Sequence, residues 1–375
     1  MAHMLNCTDF PTNTTLLLYN NTSDPEIAMK IEKLQKMQQL LYGIIVPMVC
    51  AFGFIGNILN VIIFTQKKSN KVLDEVEYCT TICLVALAIS DMMFCLTTFP
   101  NAFHLDRRTF RISEFMLHYR MYSTAIISTF IMSSTFMTVL TAFMRYLAIC
   151  HPFRSRQFIT IKTTITAIVI AYLISFAFNV PNLWRYKIKP YCKRDMVVVD
   201  HGDLHRNTTF VYVYKILWAI SGNFIPLIVL LYCNIRLIKA LHLSKQLRLL
   251  HSRDDTSCLS AHRRINITLI TIIILFFMLV APSEITKFIF YIMKEHRKDV
   301  YTYTIVSDVT NTLQSINFSV NFILYYVIIA PFRKSLHEFV CAFSRAKRNK
   351  ITRDRSSNSG KQTVVLLSIR SPKRL

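Results

Sequence analysis

A chain of 375 residues with 53% hydrophobic and 17% charged residues is too apolar to be two or three soluble domains. Its formal charge of +23 is spread over connections and a C-terminal tail rather than confined to one basic stripe, which argues against nucleic acid as a partner. The first forty residues lack a basic region followed by an apolar core, so no secretory signal is expected there and the first apolar run is expected to act as its own anchor.

The apolar residues cluster into seven runs, each near or above the ~20 residues a membrane helix needs: Leu40 to Thr65, Tyr78 to Phe99, Tyr119 to Ile149, Ile161 to Leu183, Phe210 to Leu237, Ile265 to Ile292 and Tyr301 to Ala330. The expected fold is an all-α membrane protein, a seven-transmembrane helix bundle over 40–330. Residues 1–39 form a polar arm ahead of it, 331–343 an amphipathic eighth helix, and 344–375 a basic tail expected to be disordered. After Ala330, twelve basic residues from Arg333 to Arg374 face only Glu338 and Asp354. The positive-inside rule then puts the C-terminus in the cytoplasm and, with an odd number of spans, the N-terminus outside, as for a multi-pass protein of the plasma membrane. The connection from Pro181 to Thr209 is itself basic and pulls the other way. Glycosylation sequons at Asn6, Asn13, Asn20, Asn21 and Asn207 side with the tail, since all would face the lumen.

Within the first run, Gly56-Asn57 puts an amide where it must find a partner inside the bundle, if only as helix-helix glue. The second carries Leu87-Ala88-Ile89-Ser90-Asp91, and a carboxylate at mid-membrane costs on the order of 3 kcal/mol, which marks it as functional by default. The third has Ser134 on the side expected to face Asp91, and ends Met144-Arg145-Tyr146, followed by His151-Pro152-Phe153. Arg145 has a simpler reading, snorkelling to the inner headgroups. The fifth contains Phe224-Ile225-Pro226-Leu227, where a proline frees a carbonyl and permits a bulge. In the sixth, Pro282 predicts a kink, and Glu284 and Lys287 are spaced to pair with each other. The seventh reads Asn317-Phe318-Ser319-Val320-Asn321-Phe322-Ile323-Leu324-Tyr325. Beyond it, Phe332, Leu336, Phe339, Val340 and Phe343 make a stripe suited to the inner membrane surface, with Cys341 a candidate for lipidation.

Taken jointly, these motifs resemble those of rhodopsin-like G-protein-coupled receptors, from about Leu40 to Phe343. The seventh-span pattern, with Phe322 where proline is usual, is most similar to receptors for FMRFamide-type neuropeptides of invertebrates. The resemblance implies an extracellular ligand, a heterotrimeric G protein and arrestin as partners, the lipid bilayer as solvent, and no enzymatic activity. It implies that Arg145, Tyr146, Pro152, Phe153 and Tyr325 serve G-protein coupling. It also implies a sodium ion at Asp91, Ser134, Asn317 and Asn321, a hard-donor set around one carboxylate; no other cofactor is expected.

Three departures from the family pattern stand out. Met144 replaces the acidic residue that ordinarily restrains the arginine. Arg120 stands where the third helix usually begins with a cysteine, which leaves Cys7 as the outer partner for Cys192 in a disulfide. Val280 replaces the aromatic residue before the sixth-helix proline, and the fourth run lacks a central tryptophan.

Ile127 argues against an amine ligand and Ser315 against retinal, because the resembled family places an aspartate and a lysine there. A peptide is the expected ligand, lined by His104, Thr124, Trp218, Glu284, Lys287, Asp308 and Asn311. A ligand arginine is expected on Glu284, an aromatic residue on Trp218 and a terminal amide on Asn311. The alternatives are a constitutively active receptor for a lipid or small molecule, and, from another class, a transporter or channel, which would need internal repeats or broken helices that this sequence does not display.

Overall fold

The computed structural model describes residues 25–66, 75–104, 114–191, 196–250, 271, 274–275, 277–292, 300–342 and 344–345. The expected glycan sites Asn6, Asn13, Asn20 and Asn21 and both cysteines of the expected Cys7–Cys192 bridge lie outside these residues.

The first span is long. α1 (Pro25–Leu40) is a polar helix with exposed i, i+4 ion pairs, Glu26 with Lys30 and Glu32 with Lys36, both at 2.7 Å. It runs through a π turn, Leu41–Ile45, into α2 (Val46–Gln66). The second span is α3 (Glu75–Thr98) and the third α4 (Glu114–Cys150), followed by a short inner helix, α5 (Pro152–Phe158). The fourth is α6 (Ile161–Asn179), started by a capping box in which Thr160 and Thr163 satisfy each other's backbone N–H.

The outer connection after it holds a two-stranded antiparallel ribbon, β1 (Tyr186–Tyr191) and β2 (Met196–His201), in register from Tyr186 opposite His201 to Tyr191 opposite Met196. Gly202 closes its base: a Cβ there would run into the Trp184 carbonyl. A single turn, α7 (Asp203–Arg206), carries Asp203, which pairs with Lys187 of the ribbon. The fifth span is α8 (Thr208–Ala219), a π turn, Ile220–Phe224, and α9 (Ile225–Leu250). The outer half of the sixth is α10 (Ala281–Ile292), and the seventh is α11 (Val300–Ile328). The chain then turns by 99° into α12 (Ala330–Ala342).

Both π turns have one cause. A helix proline cannot donate to the carbonyl four residues back and its ring crowds that carbonyl. Here Pro47 follows Gly43 and Pro226 follows Gly222 at that spacing, each glycine inside the widened turn.

Among the described residues the first five spans are each long and apolar enough to cross a membrane, and α11 with α12 passes as a bent pair. The outward faces of the bundle are apolar, as lipid contact requires: Leu173, Phe176, Ile228 and Met278 are all more than half exposed. The interior mixes apolar and polar groups. Toward the inner end it is built by Ile63, Phe64, Leu84, Leu87, Met137, Met144, Tyr325 and Phe332. A row of buried polar side chains, including Asn57, Asp91, Ser134 and Asn321, crosses its middle.

The seventh-span end is held by Arg333, whose Nη1 donates to the carbonyls of Val327 (2.6 Å) and Tyr326 (3.1 Å). A guanidinium there meets the negative end of the helix dipole and its orphan carbonyls. On α12, Phe332 is buried, Leu336, Phe339 and Cys341 are half-buried and Val340 is exposed.

Candidate functional site

The central cluster is built by three spans. Asp91, fully buried, accepts from Ser134 Oγ on Oδ1 at 2.5 Å and from Asn321 Nδ2 on Oδ2 at 2.6 Å. The second, third and seventh spans thus meet on one carboxylate, and hydrogen bonds to a charged group are stronger than neutral ones. Asn317 is buried one turn earlier on the seventh span, but among the described residues it makes no hydrogen bond to Asp91. A carboxylate beside a hydroxyl is a hard-donor set that fits a small cation. Asn321 turns its N–H toward Asp91, so Asp91 and Ser134 are the two that would offer oxygens to a cation in this geometry, a narrower set than the four expected.

Asn57 finds the bundle partner its position demanded. Its Nδ2 donates to the carbonyls of Gly53 and Phe318, both at 2.9 Å, and its Oδ1 accepts from Asn60 at 3.2 Å. The first and seventh spans approach closely here because they have no side chains in the way. A Cβ on Gly56 would lie 2.8 Å from Phe322 Cβ, and one on Gly53 would overlap Ser319. Phe322, the departure from proline, therefore packs over a glycine.

The fourth span lacks a central tryptophan, and Tyr172 does the tying instead. Its hydroxyl meets Ser90 Oγ at 2.7 Å and donates to the Ala86 carbonyl at 2.8 Å. Sequence reasoning missed it, although a lone phenol in an apolar run needs a polar partner.

At the outer end the expected lining residues divide between two groups. Asp308, buried, accepts from Gln38 Nε2 (2.8 Å) and Tyr42 OH (2.9 Å), so the first span grips the seventh through it. Asn311 Oδ1 accepts from Ser283 of the sixth span at 3.2 Å. Trp218 lies across the bundle, donating from Nε1 to Asn179 Oδ1 at 3.3 Å, and Asn182 donates to the same oxygen. Thr124 is half-buried on the third span. The side chains of His104, Glu284 and Lys287 lie outside the described set, so the expected arginine contact at Glu284 does too. Asn207 is exposed and its Oδ1 caps α8 through the Phe210 N–H at 3.1 Å, which leaves glycosylation at Nδ2 chemically compatible with the cap.

At the inner end Arg145 is not snorkelling: only 6% of it is exposed, and its Nε is buried without a hydrogen-bond partner. Tyr146 OH lies 3.0 Å from His151 Nε2 and 3.5 Å from Tyr232 OH. Tyr325, 1% exposed, sits between Phe64, which it meets edge-on at a centroid distance of 5.1 Å, and Phe332, tilted to it at 5.8 Å. Pro152 starts α5, and Phe153 beside it is 90% exposed, an apolar side chain offered on the inner surface.

The sequence profile described as "7 transmembrane receptor (rhodopsin family)" matches residues 56–325. An FMRFamide receptor of Drosophila melanogaster is 25% identical over 309 residues, covering 78% of this chain and 52% of the relative. Galanin receptor 2a of Danio rerio is 23% identical over 345 residues, 90% of this chain and 87% of the relative. The neuromedin U receptor homolog nmur-2 of Caenorhabditis elegans is 31% identical over 148 residues, 37% of this chain and 34% of the relative. The chain spans about half the length of the Drosophila protein.

Proposed function

This chain belongs to the rhodopsin family of seven-transmembrane receptors, and we propose that it binds an extracellular peptide and drives nucleotide exchange on a heterotrimeric G protein. It is a multi-pass membrane protein; residence in the plasma membrane with the N-terminus outside is part of the proposal, as is arrestin as a second inner partner. The relatives named as receptors for FMRFamide, galanin and neuromedin U favour a peptide over a lipid or amine.

The observation that carries the reading is the seventh span itself. One helix, α11, bears Asp308 and Asn311 in its outer half, Asn321 on Asp91 at its centre and Tyr325 at its inner end. A ligand that binds one arrangement of this helix more tightly than another shifts the population of both ends at once. Arg145 and Tyr325 would rearrange as the inner face opens, and the exposed Phe153 would dock on the G protein. A small cation such as sodium, held by Asp91 and Ser134, would supply a positive charge to the buried carboxylate. Asn321 links that carboxylate to the moving helix.

The test is a second-messenger screen in cells expressing the full chain against a library of short amidated peptides, with empty-vector cells as the baseline. Arg145→Ala is expected to reach the surface, keep agonist binding and lose nucleotide exchange. Full exchange by that variant removes Arg145 from the mechanism, and silence of the parent chain to every peptide removes the ligand class.

A further inference from the structure

The acidic neighbour that ordinarily restrains the arginine is replaced by Met144, and Met144 points elsewhere: it is 4% exposed, with its sulfur 3.4 Å from Cys83 Sγ. Arg145 is nonetheless drawn inward, and it borders a cavity of about 30 Å³ at the inner end of the bundle. Ile63 and Phe64 of the first span form the cavity's apolar wall, Phe332 and Ser335 of α12 its floor, and Glu77 of the second span its acidic side. Glu77, in the first turn of α3, is the carboxylate that lines this cavity together with Arg145.

A guanidinium nine-tenths buried needs a counter-charge, because an isolated charge in an apolar site is costly. Among the described residues the two groups make no direct ion pair within 4 Å; they share the lining of a cavity large enough for one water, whose apolar side chains leave their attraction little screened. We propose that Glu77 is the positioning residue for Arg145 in the resting receptor, restraining it from the second span in place of the missing neighbour on the third. Opening the inner face then requires Arg145 to leave Glu77. The restraint is carried by a helix that is tied to the seventh span through Asp91 and Asn321.

This inference rests on the receptor reading, and two measurements separate them. The first is a double-mutant cycle on the melting temperature of purified, ligand-free receptor, using Glu77→Gln, Arg145→Gln and the double variant. If the pair interacts, the double variant's shift is clearly smaller than the sum of the single shifts; additive shifts overturn the proposal. The second is basal nucleotide exchange in membranes with matched surface labelling. Glu77→Gln is expected to raise it about three-fold or more. A Glu77→Gln rate equal to the parent's, in a receptor that otherwise exchanges nucleotide, overturns the restraint. A chain that stimulates no exchange in any variant, with agonist or without, fails as a G-protein receptor, and the melting-temperature cycle then decides the pairing alone.

Discussion

Ser134 Oγ donates to Asp91 Oδ1 at 2.5 Å, joining the third span to a fully buried carboxylate of the second. Ser134→Ala removes a hydrogen bond to a charged acceptor in a water-poor interior. Its expected cost is roughly 1.5 to 3 kcal/mol of stability, read as a lower melting temperature in detergent. Asp91→Asn is expected to abolish the effect of sodium on agonist affinity. Unchanged sodium sensitivity would mean that no cation works through this cluster.

Gly56 faces Phe322 with no space for a side chain, a Cβ there standing 2.8 Å from Phe322 Cβ. Gly56→Val should destabilise the receptor by about 1 to 3 kcal/mol through overpacking between the first and seventh spans. Trimming the partner should offset part of the loss, so Gly56→Ala combined with Phe322→Ala is expected to cost less than the sum of the two single changes. Strict additivity would show that the two helices do not meet at this point in the membrane.

Tyr172 replaces a tryptophan by chemistry rather than by size, through its hydroxyl bonds to Ser90 and the Ala86 carbonyl. Tyr172→Phe keeps the ring and leaves Ser90 Oγ without that partner. A loss of about 1 kcal/mol is expected, close to that of Ser90→Ala, with the double change no worse than either alone. Agonist potency should be unaffected, since the contact is a strut between the second and fourth spans.

Asp308 serves two masters in the proposed reading, holding the first span through Gln38 and Tyr42 and facing the ligand entrance. Tyr42→Phe should lower the melting temperature of the ligand-free receptor by the equivalent of about 1 to 3 kcal/mol. Asp308→Asn should in addition weaken a basic peptide about ten-fold or more. If binding is untouched while stability falls, Asp308 is a structural strut and the ligand's charge is met elsewhere.

The membrane class, the number of spans and the polar residues inside them were legible in the chain, because a bilayer makes unpaired polar groups too costly to place at random. Asn57 and Asp91 could be picked out as interior residues for that reason alone, Ser134 by its register against Asp91, and Asn321 through the family resemblance. Pro226 marked the irregularity of the fifth span, a local rule that needs no knowledge of neighbours, whereas the matching turn ahead of Pro47 was seen only in the structure. What each polar group bonds to was not local. That Asn317 stands aside while Asn321 takes Asp91, and that Trp218 reaches Asn179, depends on helix rotation and crossing. The grip of Gln38 and Tyr42 on Asp308 depends further on a helix that begins at Pro25, ahead of the apolar run. The same holds for Arg145. Sequence shows that Met144 cannot hold it, and only the packing of the second span against the third brings Glu77 to the same cavity. Composition and spacing thus decide which groups must be inside, since solvation acts residue by residue. The tertiary structure decides their partners, since those are chosen by the few ways in which helices of given shape can close upon one another.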